Sequence, residues 1–470
     1  MLVLRRLSKP FRLQGFLHDK IYGQETLFGR DGLTVMAISA SLTANFSDWL
    51  KSHVVVASLV VLFCAFLPRI LIAWRADPSY LVKAYSDANT YIIPARSLIE
   101  QGAFLNSARE PDVHRTPGYP LFLALLMSLV GPSLHAVLLV QAGLLSLQVL
   151  ALYWLARSLL PPTMAFFSSM LASFSPWGAV LAAIPMTEGL FLLLLTLNFL
   201  TIKFTEASRS RVLIILGGSC VGLLTAAAVL VRPIWPLVVL IAGALFLYYG
   251  PRRKGVWLLL AVMLTCSLTP LAIWRERNRR QAQFHGLSDI AGVTVWRYLA
   301  SRVEAEATGR DHHLEKKTQV RLDKGPLKLP AQEAYDEHWR GAKAIFREHP
   351  LLTIYCFLRS AAEHALHPSP DVLRPARLNF SGDYVVLAFL WGGLLVLAGL
   401  GWPYAANPLW YADKIDKGFL LTMLVICSLL TLSSGVSFGI GSRLRAPLEI
   451  IVPLLASLGL LRQLRRLRGL

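Results

Sequence analysis

The sequence predicts an all-α polytopic membrane protein with about ten transmembrane helices. Juxtamembrane helices are expected in its first outer loop, together with a small outer loop domain. Three observations carry this reading. Apolar runs near the length of a membrane-crossing helix recur along the 470 residues. Hydrophobic residues make up 55% of the chain, at a mean hydropathy of +0.52. Lysine and arginine gather in tight clusters between the apolar runs. A net charge of +19 would suggest nucleic acid for a soluble protein. In a membrane protein it belongs to cytoplasmic loops and anionic headgroups, so membrane lipids are expected as partners and nucleic acid is not.

Taken in order, residues 1–53 read as a cytoplasmic N-terminal extension. It is partly basic (Arg5, Arg6, Lys9, Arg12) and lacks the apolar core and cleavage site of a signal peptide. Met36 is an alternative start. Spans fall at about 54–74, 135–157, 163–183, 188–204, 212–231, 234–249, 256–274, 382–401, 418–434 and 446–462. The first seven form a module over 54–274, interrupted by a first outer loop at 75–134. Residues 275–381 form an outer loop region, and 382–470 hold the last spans and a basic tail. Ten spans with both ends inside place three basic clusters in the cytoplasm: Lys203, Arg209 and Arg211; Arg252, Arg253 and Lys254; and Arg462, Arg465, Arg466 and Arg468. The same topology places Asp87, Glu188 and Arg443 on the extracytoplasmic face of the cytoplasmic (inner) membrane.

Two apolar stretches resist counting as spans. Pro120 to Val130 is too short to cross, and counting it would move the 203–211 cluster outside. It reads as a juxtamembrane helix. Leu351 to Leu366 contains Arg359, Glu363 and His364 and reads as an interfacial amphipathic helix. The loop region 275–381 shows one helical stretch, Ala331 to His349, and about a hundred residues give it only a thin core. Cys64, Cys220, Cys266, Cys356 and Cys427 lack metal-type pair spacing and read as small buried hydrophobes.

The chemistry is expected in the stretch SDANTYIIPARSLIEQGAFLNSAREPDVHRTPGYPLF, from Ser86 to Phe122. Ala88, Tyr91, Ile92, Ala95, Leu98 and Ile99 recur at helical spacing, Gly102 ends the run and Pro94 should kink it. Ser86 or Asp87 would cap this helix, and capping is the plain alternative to a role for Asp87 as general base. Glu188 opens an apolar span in Pro-Met-Thr-Glu-Gly. The helix dipole favours an acid there, yet an ionisable group at the head of a span is also a functional candidate. Asp87 and Glu188 could share a substrate or a divalent cation, the one cofactor these residues suggest. Arg115, Arg232, Arg443 and Arg445 stand at outer ends of apolar runs. Snorkelling to headgroups is the plain reading. Against it, they lie on the side where positive charge is disfavoured, and arginine binds phosphate in bidentate geometry. Tyr91, His114 and Tyr119 share the loop as candidate substrate contacts. His364-x-x-His367 and His312-His313 are weak metal signals.

In order along the chain come Ser-Asp-x-x-x-Tyr, Ala-Arg-x-Leu, Arg-Thr-Pro-Gly-Tyr-Pro-Leu, Met-Thr-Glu-Gly-Leu-Phe, Val-Arg-Pro-Ile, Trp274-x-x-x-Asn278 and Ser442-Arg443-Leu444-Arg445-Ala446-Pro447. With these motifs the chain resembles the GT-C superfamily of membrane glycosyltransferases, closest to the branch with protein O-mannosyltransferases and lipid A aminoarabinose transferases. The resemblance covers most of 54–300 and returns at the C-terminus. It implies a polyprenyl-phosphate sugar donor and an acceptor hydroxyl on a glycan, lipid or protein. By position, Asp87 resembles the family's first-loop acid, Arg115 its lipid-phosphate contact and Glu188 its second acid. The sequence departs from the family at Asp87-Ala88, where Asp-Glu or Arg-Asp is usual, and at Trp-Arg-Glu-Arg-Asn. These departures leave metal use and acceptor identity open. The function expected is therefore an inverting glycosyltransferase with Asp87 as base. A transporter or flippase of a lipid-linked substrate, or a surface-polysaccharide polymerase or ligase, are the alternatives.

Overall fold

The structure is a computed structural model and describes residues 45–85, 87–206, 210–250, 255–309, 329–367, 383–406, 416–437 and 442–467. Arg5, Arg6, Lys9, Arg12, Met36, Ser86, Arg209, Arg252, Arg253, Lys254, His312, His313 and Arg468 lie outside them. The protein is an all-helical polytopic membrane protein. Among the described residues the only extended pairing is an isolated bridge between Leu105 and Pro111.

Helix α1 (Val54–Arg75) leads into a loop carrying α2 (Pro78–Ala84), α3 (Asn89–Gln101) and α4 (Gly118–Val130). Then follow α5 (Leu134–Leu159), α6 (Pro162–Ser173), α7 (Pro176–Ala183), α8 (Thr187–Glu206), α9 (Arg211–Val231), α10 (Pro236–Tyr249) and α11 (Val256–Ala282). After these come α12 (Ile290–Thr294), a π-helix (Val295–Ala300), α13 (Ser301–Ala307), α14 (Ala331–Glu348) and α15 (Pro350–Leu366). The chain closes with α16 (Asp383–Ala406), α17 (Lys417–Ser433) and α18 (Leu448–Leu467). Every predicted span coincides with helix. Among the described residues, α1, α5, α8, α9, α11 and α17 are long and apolar enough to cross a membrane, and the α6–α7 pair makes a seventh candidate. Helix α10 and the apolar stretch Ala388–Pro403 of α16 are shorter.

The span predicted at 163–183 is broken. Helices α6 and α7 meet at a 57° bend. Pro176 has no N–H to donate, and it disfavours the helical conformation at the residue before it. Ser175 accordingly turns extended (ψ 116°), and its hydroxyl accepts the Gly178 N–H at 3.2 Å to start α7. The predicted juxtamembrane helices both form, as α3 and α4. Gly102 ends α3 with φ +65°, a left-handed conformation that glycine adopts without a Cβ clash.

Helix α5 is the hub of the bundle, packing on α1, α6 and α8, with Leu138, Leu145, Val149, Leu152 and Leu159 buried at helical spacing. Small residues let other helices approach more closely. A Cβ on Gly222 of α9 would meet the Met263 backbone of α11, and Cβ atoms on Gly401 and Gly459 would run into the facing backbones of α18 and α16. Among the described residues, the segment after α11 forms small clusters of its own. Its two small clusters hold three buried residues each: Val295, Ala300 and Ala342, and Leu299, Val303 and Cys356.

Two charged clusters mark opposite ends of the bundle. Glu188 lies in the first turn of α8 and Lys203 in the last, roughly 22 Å apart at 1.5 Å per residue. Lys203 and Tyr248 both engage the Asp416 carboxylate, which draws together the ends of α8 and α10 and the start of α17. The Glu188 end holds the residues singled out above.

The Gly459 contact yields a stability test. Gly459→Leu should lower the melting temperature of the purified protein in detergent, by about 1–3 kcal/mol of overpacking or more. Gly393→Leu on α16, where nothing lies within 4 Å, should leave it nearly unchanged. Equal melting temperatures would refute close α16–α18 packing.

Candidate active site

Five side chains from distant parts of the sequence form one chain of alternating charge. Arg115 Nη2 lies 3.0 Å from Asp87 Oδ1, and Arg443 Nη2 donates to Asp87 Oδ2 at 2.9 Å. Arg443 Nε lies 3.8 Å from Glu188 Oε1, and Arg232 Nη1 lies 3.3 Å from the same oxygen. The order is Arg115, Asp87, Arg443, Glu188, Arg232. Three guanidinium groups thus face two carboxylates, an excess of one positive charge.

Local structure explains each placement. The carboxylate of Asp87 does not cap α3, correcting the simplest expectation. Ala88 occupies the cap position without a side-chain bond, and only the Asp87 carbonyl serves the helix, accepting from the Thr90 amide and hydroxyl. The carboxylate is free to turn because two guanidinium groups offer stronger, charge-assisted partners than a backbone amide. Arg115 precedes α4. Its Nε donates to Thr90 Oγ1 at 2.8 Å, and its guanidinium lies 4.5 Å from the Tyr91 ring centroid. Tyr91 meets Tyr119 edge-on at 5.4 Å. Tyr119 donates to Gln141 of α5, whose amide in turn bonds the Ala182 and Ile184 carbonyls at the end of α7. The two tyrosines therefore fix the walls of the site. Gly118 lets this loop reach α9: a Cβ there would sit 2.6 Å from the Leu230 backbone. Arg232 caps the end of α9 and lies over Phe191. Gly189 allows α8 to start against the Leu181 carbonyl, and this seats Glu188. Arg443 comes from a short 3-10 turn, Ser442–Arg445, ahead of α18.

Burial separates the two acids. The Glu188 side chain is 3% exposed and the Asp87 side chain 34%. Asp87 is therefore the more accessible of the two acids. Burial raises its pKa, but Arg115 and Arg443 outweigh this, with a smaller contribution from His114, and hold the carboxyl below its ordinary value of 3.8.

Arg445 does not join the chain. It is 1% exposed and lies on the other side of the 3-10 turn, against both Trp177 and Trp391. His114 does reach the site's edge. Its Nδ1 pairs with Asp289 Oδ1 at 2.7 Å, tying the first loop to the segment after α11. His364 is buried on α15 against Ser434. Among the described residues no group of three His, Cys, Asp or Glu could hold a metal ion. In this arrangement the cation joining Asp87 to Glu188 is the Arg443 guanidinium.

Sequence reasoning missed two neighbours. Tyr298 lies in the π-helix; burial raises its pKa, and the Asp87 charge adds to this. A π-helix has no sequence period to reveal it, although such turns recur at functional sites. Asp289 was one acid among several in a charged segment. The motif at the end of α11 was read, but its role becomes clear only here. Trp274, Arg277 and Asn278 share one helix face at i, i+3 and i+4. Trp274 and Asn278 bond the Leu287 carbonyl, and Arg277 bonds the Asp112 and Phe104 carbonyls. The motif clasps two loops around the site.

No family model and no curated protein matches the sequence. Solved structures do match in fold. The archaeal oligosaccharyltransferase AglB from Archaeoglobus fulgidus, in complex with an inhibitory peptide and a dolichol-phosphate, covers 90% of this chain at 12% identity and a TM-score of 0.53. The same enzyme tethered to an acceptor peptide with the NVT sequon covers 89%, again at 12% identity and 0.53. The matches take in 52% and 51% of those chains, so this chain spans about half their length. ArnT from Cupriavidus metallidurans aligns over 88% of this chain and 78% of its own at 16% identity, but its TM-score of 0.37 is too low to carry an argument. The fold is therefore like that of the archaeal oligosaccharyltransferase AglB over about half of that enzyme's length. The resemblance read from the sequence thus holds at the level of fold.

The site's positive field reaches His364. Burial lowers its pKa from 6.5 to about 4; Glu363 and a Ser437 backbone bond oppose this, while Arg443 and Arg232 add to it. The unfolded chain takes up this proton near pH 6.5 and the folded chain only near 4. Stability is therefore full above pH 6.5 and lost as pH falls toward 4, by at most about 3 kcal/mol. Melting temperature against pH should slope through this window in the wild type and flatten in His364→Gln. Parallel curves would exclude His364 as the titrating group.

Proposed function

We propose that the protein is a glycosyltransferase that moves a sugar from a polyprenyl-phosphate-linked donor to an acceptor hydroxyl on the extracytoplasmic face of the cytoplasmic membrane. The observation that carries this reading is the alternating chain with its single excess positive charge. A phosphodiester linking a sugar to a lipid carries one negative charge, which matches that excess. Arg115 Nη1 and Arg443 Nη1 have no hydrogen-bond partner among the described residues, and Arg443 Nε is buried without one. Both guanidinium groups can therefore donate to phosphate oxygens while still facing Asp87.

In the proposed step, an acceptor hydroxyl attacks the anomeric carbon from the face opposite the phosphate. Its oxygen forms the new glycosidic bond and its proton passes to Asp87. The bond from the anomeric carbon to the phosphate oxygen breaks with its electron pair, releasing polyprenyl phosphate. Arg115, Arg443 and Arg232 stabilise the charge that gathers on the leaving phosphate. Attack from the opposite face inverts the anomeric configuration. The leaving group needs no proton, so a base matters more than an acid. Glu188, shielded and shared between two arginines, acts as a fixed counter-charge. A guanidinium stands between the two acids, and each step above uses only the chain's own side chains.

The transporter alternative draws on one specific observation. The α6–α7 span is broken, and Arg69 and Glu449 are charged groups buried inside helices. They lie near the same end as the site, however, not at mid-span. Arg69 is six residues from the end of α1, and Glu449 is in the first turn of α18.

Purified protein in detergent, given a panel of polyprenyl-phosphate sugars together with hydroxyl acceptors (glycan, lipid and peptide), should release free polyprenyl phosphate. Asp87→Asn should lower the turnover by about 10²–10⁴-fold, the usual range for a general base, while lipid binding persists. Arg443→Gln should weaken donor binding as well as turnover. Full activity in Asp87→Asn would remove it as base, and lipid binding without release from any donor would favour the transporter.

A further inference from the structure

Behind the site lies a second buried charged cluster that the proposed reaction does not use. Arg445 is 1% exposed, Arg69 2% and Glu449 6%. The Arg445 guanidinium carbon lies 3.8 Å from the Trp391 ring centroid and 4.4 Å from that of Trp177. Its Nη1 donates to the His367 carbonyl at 2.7 Å, and its Nε faces Glu449 Oε1 at 4.0 Å. Ser175, at the break between α6 and α7, donates to Glu449 Oε2 at 2.6 Å. Arg69 of α1 donates to the Ser173 carbonyl on the other side of that break. Trp391 is itself fixed by donating to the Ala365 carbonyl at 2.8 Å.

Arg445 thus anchors its turn to α7, α15, α16 and α18 at once. A 3-10 turn has three residues per revolution, so side chains two apart point to different sides. Arg443 points to Asp87 and Glu188, and Arg445 points to the tryptophans. Only Leu444 separates them. A turn this short transmits the placement of one side chain to the other. Burying a guanidinium beside an incompletely bonded carboxylate opposes stability, and an apolar residue would fill the same space at less cost. The planar group does what an apolar one cannot: it lies against two indoles set edge to face, 64° apart, while donating to the His367 carbonyl.

We propose that Arg445 is a positioning residue that acts through Arg443, setting its place between Asp87 and Glu188 and hence the affinity for a lipid phosphate. The proposal rests on the reading that Arg443 binds such a phosphate. The probe is undecaprenyl phosphate, and its binding to the full chain in detergent is measured for wild type, Arg445→Lys, Arg443→Ala and the double variant. Arg445→Lys keeps the charge near Glu449 and removes the planar group. It should weaken binding about tenfold, with a melting temperature close to wild type. In the Arg443→Ala background it should have no further effect, because a residue acting through Arg443 has nothing left to act on. A purely structural role predicts equal losses in both backgrounds, and that result overturns the proposal, as does unchanged binding in Arg445→Lys. Should Arg445→Lys fail to fold, Trp391→Phe replaces it in the same cycle with the same expectations. Binding without sugar transfer overturns the transferase reading alone. No binding of the probe by wild type overturns the proposal.

Discussion

Everything at the Glu188 end of the bundle is arranged around the pairing of Arg443 with two acids. Asp87 comes from the first loop, Glu188 from the start of α8 and Arg443 from 356 residues beyond Asp87. No two of these are near neighbours in sequence. Among the described residues Arg443 is the one guanidinium that faces both carboxylates. With it, the loop, the span and the C-terminal turn are held by one set of charges. The outer arginines extend this hold. Arg115 ties in the entry to α4, and Arg232 ties in the end of α9. The glycines then make geometric sense. Gly118 and Gly189 sit where a Cβ would separate the elements that the charges draw together.

The scaffold behind the charges is rigid for a different reason. Amides, an indole and a guanidinium there bond backbone carbonyls left open at helix ends and in the adjoining loops. Gln141 bonds two carbonyls at the end of α7, Asn278 two beyond α11, Trp391 one at the end of α15 and Arg277 two in the first loop. Carbonyls freed at helix ends need partners where water is scarce. Side chains that supply them also fix the position of each helix end, and the site is built from helix ends.

Much of this was legible in the sequence, and the limits have physical causes. The span positions could be read because a bilayer imposes a length and an apolar composition that few other structures share. Asp87, Arg115, Glu188, Arg232 and Arg443 could each be singled out because a charge at the end of an apolar run is conspicuous. Their pairing could not be read, since it depends on which helix ends meet. Arg445 shows this most clearly. Two residues from Arg443 and identical in type, it has the opposite fate because the turn is 3-10 and two tryptophans wait on its far side. The break at Ser175-Pro176 was written in the sequence, as a proline whose predecessor avoids helix. It was passed over because the apolar run continues through it. Tyr298 had no signal at all.

The same electrostatics constrain the order of events on the transferase reading. With no donor bound, both Asp87 oxygens are occupied by guanidinium groups and the carboxylate is held below its ordinary pKa, so it is a weak base. A phosphodiester settling on Arg115 and Arg443 shares their charge. It reduces the pull on Asp87 and brings its own negative charge close by. Both effects raise the pKa of Asp87, making it a better proton acceptor when a donor sugar is in place. By linkage the coupling runs both ways: whatever weakens the hold of Asp87 on the arginines strengthens their hold on phosphate. Glu188 does not take part in this exchange. It is shielded and carries Arg232 on its far side, 3.3 Å away. Two acids of the same chemistry are thereby given different tasks by exposure alone, one to react and one to keep Arg443 in place.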